Sequence, residues 1–186
     1  AYSSVEHMGV VALGFGFGGP LGIAGAFYHM LNHSLNKSLM FFGAGNVMRS
    51  FGSKEIRNIH GVWRQFPVQG ALWLAGATAI TGAPPFGLFL SELIILRAGF
   101  ERGYDWAVYA MVVLLIVIFI GFLNHFRAMY FDGEDEAGKP PAPVSRWCVA
   151  PMWLALAPLL VFGLWWPSDL WNHFMAAAQS LTGPVP

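Results

Sequence analysis

Residues 21–47 form an apolar run crossed by one polar row, and that row limits what the chain can fold into. In His29-Met30-Leu31-Asn32-His33-Ser34-Leu35-Asn36-Lys37, the residues His29, His33 and Lys37 recur at i, i+4 and i+8. On an α-helix each such step drifts about 40° around the axis and climbs about 6 Å, so the three share one face. Asn32 and Asn36 flank them at the same spacing. An ionisable side chain in the hydrocarbon core costs roughly 3 kcal/mol or more, and such groups face a bundle interior or a water-filled cavity. The row therefore demands neighbouring helices, and three titratable groups with two amides between them read as a path for protons.

Composition agrees. The chain has 186 residues, 56% hydrophobic and only 11% charged, with ten Lys and Arg balancing ten Asp and Glu. A soluble domain carries ~25% charged residues. The reading is an all-α, polytopic transmembrane helix bundle, and the neutral balance speaks against a nucleic-acid partner. The single Cys148 sits among apolar residues and reads as core packing, with neither a disulfide framework nor a Cys-based metal site. The start lacks a signal peptide's basic region and cleavage site, and with no initiator Met the chain reads as the C-terminal portion of something longer.

About five spans are expected, over residues 1–17, 21–50, 68–99, 104–130 and 147–166. The third is interrupted at residues 82–87, where Pro84 and Pro85 remove two amide donors and clash with the preceding turn. Helix breaks at membrane depth are tolerated where they are buried in protein or line a cavity, and in transporters they mark ion sites. Glu92 follows that break within about two turns. Residues 132–145, rich in proline and charge, are expected as a solvated loop. Residues 168–186 are expected to hold a short amphipathic segment with Ser168 as its N-cap. With five spans, Arg49, Lys54, Arg57, Arg64, Arg127, Lys139 and Arg146 fall on one side, against Arg97 and Arg102 on the other. The positive-inside rule makes the basic loops cytoplasmic and puts the C-terminus outside.

Three stretches carry a resemblance: Ala1-Tyr2-Ser3-Ser4-Val5-Glu6-His7-Met8-Gly9, the row from His29 to Lys37, and Gly82-Ala83-Pro84-Pro85-Phe86-Gly87-Leu88-Phe89-Leu90-Ser91-Glu92. In this order and spacing the chain resembles the C-terminal part of the antiporter-like, proton-translocating subunits of respiratory complex I, Mrp-type antiporters and membrane-bound hydrogenases. It is most similar to the hydrogenase-4 component F branch. The resemblance implies a complete protein of about fourteen spans in two inverted five-helix repeats, in the bacterial inner membrane. It also implies no redox centre or other cofactor. The expected partners are other membrane-arm subunits, a peripheral redox module of hydrogenase or NADH dehydrogenase type, and lipid. By position, His29, His33 and Lys37 fall on the family's central polar axis, and Glu92 falls where relatives carry Lys or Glu near the proton exit. Glu6, His7 and His125 are further candidates for proton transfer.

Other chemistries fit less well. His29 and His33 have zinc-pair spacing, but Met30, Leu31 and Asn32 stand between them without the motif's glutamate, and their helix offers no third ligand. Haem b would take axial ligands from His7, His29, His33 or His125 on facing helices. For Glu92 the bland alternative is a structural pair with Arg97. Two rival functions remain beside proton conduction coupled to redox chemistry: sodium/proton antiport, and a scaffold that docks a catalytic partner.

Overall fold

The computed structural model describes residues 2–59, 61–131 and 143–183; the side chains of Tyr2, Arg57, His125, Ala128 and Phe131 lie outside that description. Among the described residues every regular element is helical. These are α1 (Tyr2–Phe17), α2 (Gly19–Phe51), α3 (Val62–Gln65), α4 (Pro67–Ile80), α5 (Gly87–Glu101), α6 (Asp105–Phe131), α7 (Arg146–Leu164) and α8 (Ser168–Thr182), with one 3-10 turn at Ile56–Asn58.

The axis of the molecule is α2. Its 33 residues rise about 50 Å, more than the ~30 Å of a hydrocarbon core. It packs against α1, α4, α5, α7 and α8, so the polar row has protein on most sides. The chain enters α2 through Gly18 and Gly19, whose φ values of 70° and 66° suit glycine, with Pro20 in the first turn. Residues 81–86 separate α4 from α5 and contain the two prolines. Against that break lies the end of α7: a Cβ on Gly163 would overlap the backbone of Pro85 and Phe86. Tyr28 of α2 donates to the Phe162 carbonyl at 2.6 Å, fixing the same end of α7 to the central helix.

Apolar packing secures this frame. Trp73 of α4 meets Phe126 and Tyr130 of α6, beside Leu39 and Val47 of α2 and Met152 and Leu159 of α7. Near the start of α2, α8 lays Trp171, Phe174 and Met175 over Ile23, Ala24 and Phe27. Among the described residues, two helices are long and apolar enough to cross a membrane on their own, within Asp105–Asn124 and Arg146–Leu164. The first turns most of its apolar side chains outward, with Leu114 60% and Ile120 63% exposed, an arrangement suited to lipid.

Two local expectations change. Pro167 occupies the cap position of α8 without a side-chain hydrogen bond, and Ser168 becomes the first helical residue. The connection after α2, read as polar, buries Ile59 and Val62 in the Trp73 cluster, and its short helix α3 packs on α4 and α6. His60 and most of the loop over 132–145, including Lys139, lie outside the described residues.

Candidate functional site

α2 carries His29, Asn32 and Asn36 into the interior with no exposed surface, and His33 with 6%. Lys37, one turn on, is half-buried. α1 contributes His7, also fully buried, and α5 contributes Ser91 and Glu92 just beyond the break. Helical spacing orients the α2 side chains, while the break lets α5 start close to the row. A Cβ on Gly87 would overlap the Asn32 amide, and one on Gly82 would overlap the Glu92 carboxylate.

These helices are joined by a string of hydrogen bonds. His7 Nε2 lies 3.0 Å from the Ile80 carbonyl at the end of α4. His7 Nδ1 lies 3.0 Å from His29 Nε2. His29 Nδ1 then lies 2.8 Å from Ser91 Oγ. Ser91 in turn donates to the Leu88 carbonyl at 2.7 Å. Both ends are carbonyl oxygens, which only accept. The four bonds need four hydrogens, whereas two neutral imidazoles and a hydroxyl supply three. The string closes completely when it holds one extra proton, and without it one link must be dropped.

His33 joins through α1. Its ring centroid is 4.6 Å from that of His7 and 6.4 Å from that of His29, so His7 stands between two histidines of the neighbouring helix. The sequence suggests steps along one face of α2; the structure routes the closest approach through a second helix. Around this group, His33 Nδ1, Glu92 Oε1, Asn32 Oδ1 and Asn36 Oδ1 are buried without a protein hydrogen-bond partner. Their outer sides are anchored, since Asn32 donates to the Tyr28 carbonyl at 2.9 Å and Asn36 to the Gly76 carbonyl at 2.9 Å. Buried polar atoms of this kind are where ordered water binds.

Lys37 turns toward α1 and donates to Ser3 Oγ at 2.6 Å, within electrostatic reach of Glu6. Glu6 itself is half-buried. Arg97, the alternative partner for Glu92, instead bonds Glu101 at 2.7 Å on the exposed face of α5. One ligand atom each from His7, His29 and Glu92 fall within 4.8 Å of one another, a set able to hold a metal ion. The His125 side chain lies outside the described residues. Sequence reasoning missed Ser3 and the Ile80 carbonyl, and it gave Ser91 no role; only its place beside Glu92 hinted at one.

A helical subunit whose ionisable side chains meet inside the bundle is thus defined by fold and site together. Residues 1–119 match the transmembrane family of NADH:quinone oxidoreductases and Mrp antiporters, and the chain belongs to that family. It is 40% identical over 102 residues to a hydrogenase-4 component F homolog of Methylacidiphilum infernorum, covering 55% of this chain and 21% of that protein. It is 33% identical over 124 residues to formate hydrogenlyase subunit 3 of Escherichia coli, covering 61% of this chain and 20% of that one. The matched stretch thus spans about a fifth of these curated relatives. In fold, the chain superposes on a chain of the Mrp complex from a Dietzia species with a TM-score of 0.87 at 20% identity, over 100% of this chain and 42% of the other. The relatives and structural neighbours are membrane-arm subunits of multi-subunit complexes.

Proposed function

We propose that this chain is the proton-conducting portion of a membrane subunit in a respiratory oxidoreductase complex of hydrogenase-4, formate hydrogenlyase or complex I type. The observation that carries the reading is the buried string from Ile80 through His7, His29 and Ser91, which is short of one hydrogen until it takes up a proton. Histidine suits the task because it exchanges protons near neutrality. The axis runs from Lys37 and Glu6 at its half-buried end, through His33, His7 and His29, to Glu92 at the helix break. His33 Nδ1 has no protein hydrogen-bond partner, and water on the unpartnered acceptors supplies the missing steps. Redox chemistry in a peripheral partner drives the movement. Five spans cross the bacterial inner membrane, with α4, the break and α5 together making the third.

The test is proton flux in proteoliposomes holding the intact complex that contains this subunit. His29→Gln keeps the side chain's size and polarity but cannot carry the extra proton, and flux should fall on the order of 10²-fold. Wild-type flux in that variant would reduce the row to a structural seam and favour the scaffold. A flux that requires sodium would place the chain with the antiporters.

A further inference from the structure

The two inner nitrogens of the string, His7 Nδ1 and His29 Nε2, face each other at 3.0 Å. Each ring is oriented by its outer nitrogen. His7 Nε2 must donate to the Ile80 carbonyl, which leaves Nδ1 as a lone pair whenever His7 is neutral. When Ser91 donates to Leu88, His29 Nδ1 donates to Ser91 Oγ, and neutral His29 then also presents a lone pair inward. With all the outer bonds kept, two lone pairs converge on one point, and that point suits a cation. An added proton is one such cation. The arrangement has a second property: histidine ligands of metals hold their outer N–H on a carbonyl or similar acceptor, which fixes tautomer and aim. Here the Ile80 carbonyl and the Ser91 hydroxyl stand in those two positions.

Distances agree with this. Zinc–nitrogen bonds of about 2.0–2.1 Å in tetrahedral geometry hold two imidazole nitrogens about 3.3 Å apart. The 3.0 Å between His7 and His29 needs only a small opening. Glu92 brings the third ligand, with its ligating oxygen inside the 4.8 Å set, and its Oε1 is buried and unpartnered. Glu92 is 5% exposed and both histidines 0%, so the group is enclosed by protein. A carboxylate and two imidazoles match the donor preferences of zinc and its neighbours, with water as a fourth ligand.

We propose that His7, His29 and Glu92 form a binding site for a divalent transition metal of the zinc type, which enters in place of the proton between the two imidazoles and stops the relay. Where the pair already holds its extra proton, that proton leaves to water as the metal enters, and any proton on the Glu92 carboxyl leaves with it, so every hydrogen is accounted for and the carboxylate offsets part of the metal's charge. The ligands come from α1, α2 and α5, so the ion ties three helices together. The site is enclosed by protein, and inhibition should therefore set in slowly. The blocking half of this inference rests on the transport reading above; the binding half does not.

Zinc itself is the probe. Equilibrium dialysis of the detergent-purified complex should find one tightly bound ion more in the wild type than in His7→Gln or His29→Gln. His33→Gln, which leaves all three ligands, should keep that ion. Equal zinc content in wild type, His7→Gln and His29→Gln, or equal loss in His33→Gln, overturns the site. Should a histidine variant fail to assemble, Glu92→Gln provides the comparison, with zinc affinity weakened at least tenfold. X-ray absorption at the zinc edge of the wild type then reads the ligands directly. Two imidazoles with oxygen support the site, and a shell containing sulfur or lacking imidazole refutes it. Binding is measured without turnover, so its failure leaves proton transport untouched. Conversely, loss of transport in a variant that still binds zinc leaves the site intact.

Discussion

Lys37 is held at the half-buried end of the polar row by one short bond to Ser3 Oγ, and its ammonium also faces the Phe41 ring at 6.0 Å. Lys37→Met keeps chain length and volume, so assembly on a native gel should match wild type, while coupled pumping falls on the order of 10²-fold. Normal pumping in this variant would remove Lys37 from the path. Glu92 is a different case, because its carboxylate sits against Gly82 at the break, with no tie to Arg97. Glu92→Gln retains shape and hydrogen bonding but cannot take up a proton, so translocation should slow markedly. Glu92→Asp, with a shorter reach to the same place, should restore part of it. Wild-type rates for Glu92→Gln would leave Glu92 as a polar filler of the break.

At the scale of the helices, the site depends on how closely α7 presses on the break. At Gly163 any Cβ meets main-chain atoms of Pro85 and Phe86, which cannot swing away as a side chain would. Gly163→Ala should therefore destabilise the subunit by about 1–3 kcal/mol. Gly9 on α1 has open space around it, and Gly9→Ala should be neutral or favourable by about 0.5–1 kcal/mol, the usual helix gain over glycine. Thermal unfolding of the purified complex separates the two, and equal shifts would refute the close approach. The same contrast shows what the sequence made legible. The face shared by His29, His33 and Lys37 follows from a 3.6-residue period, and the interruption before Glu92 follows from two adjacent prolines; both are local rules. The bonds that assemble the site join residues 22, 62 and 73 positions apart, from His7 to His29, His29 to Ser91 and His7 to Ile80. They depend on how α1, α4 and α5 dock on α2, which no single-helix pattern encodes. The row was visible from the start and His7 was a candidate beside it, but the bonds by which His7 bridges the row from the neighbouring helix were not.

For the whole molecule, direction across the membrane decides which end of the row is loaded. Lys54, between α2 and α3, and Asp105, at the start of α6, are separated by α4, the break and α5, which make one crossing in the proposed topology. In that topology Lys54 would share its side with Arg49, Arg64, Arg127 and Arg146, whereas Asp105 has Arg97 and Arg102 nearby in sequence. Basic excess is retained in the cytoplasm, so Lys54 should face inward and Asp105 outward. Both positions are exposed, which makes them reachable by a label once Cys148, the lone native thiol, is replaced by alanine. In that background Lys54→Cys should react with a membrane-impermeant maleimide only in inside-out vesicles, and Asp105→Cys only in intact spheroplasts. Labelling of both from one face would mean that α4 and α5 form a re-entrant pair, returning to the side they left. Glu92 would then open to the same compartment as Lys37, and the row could exchange protons with that compartment but could not carry them across.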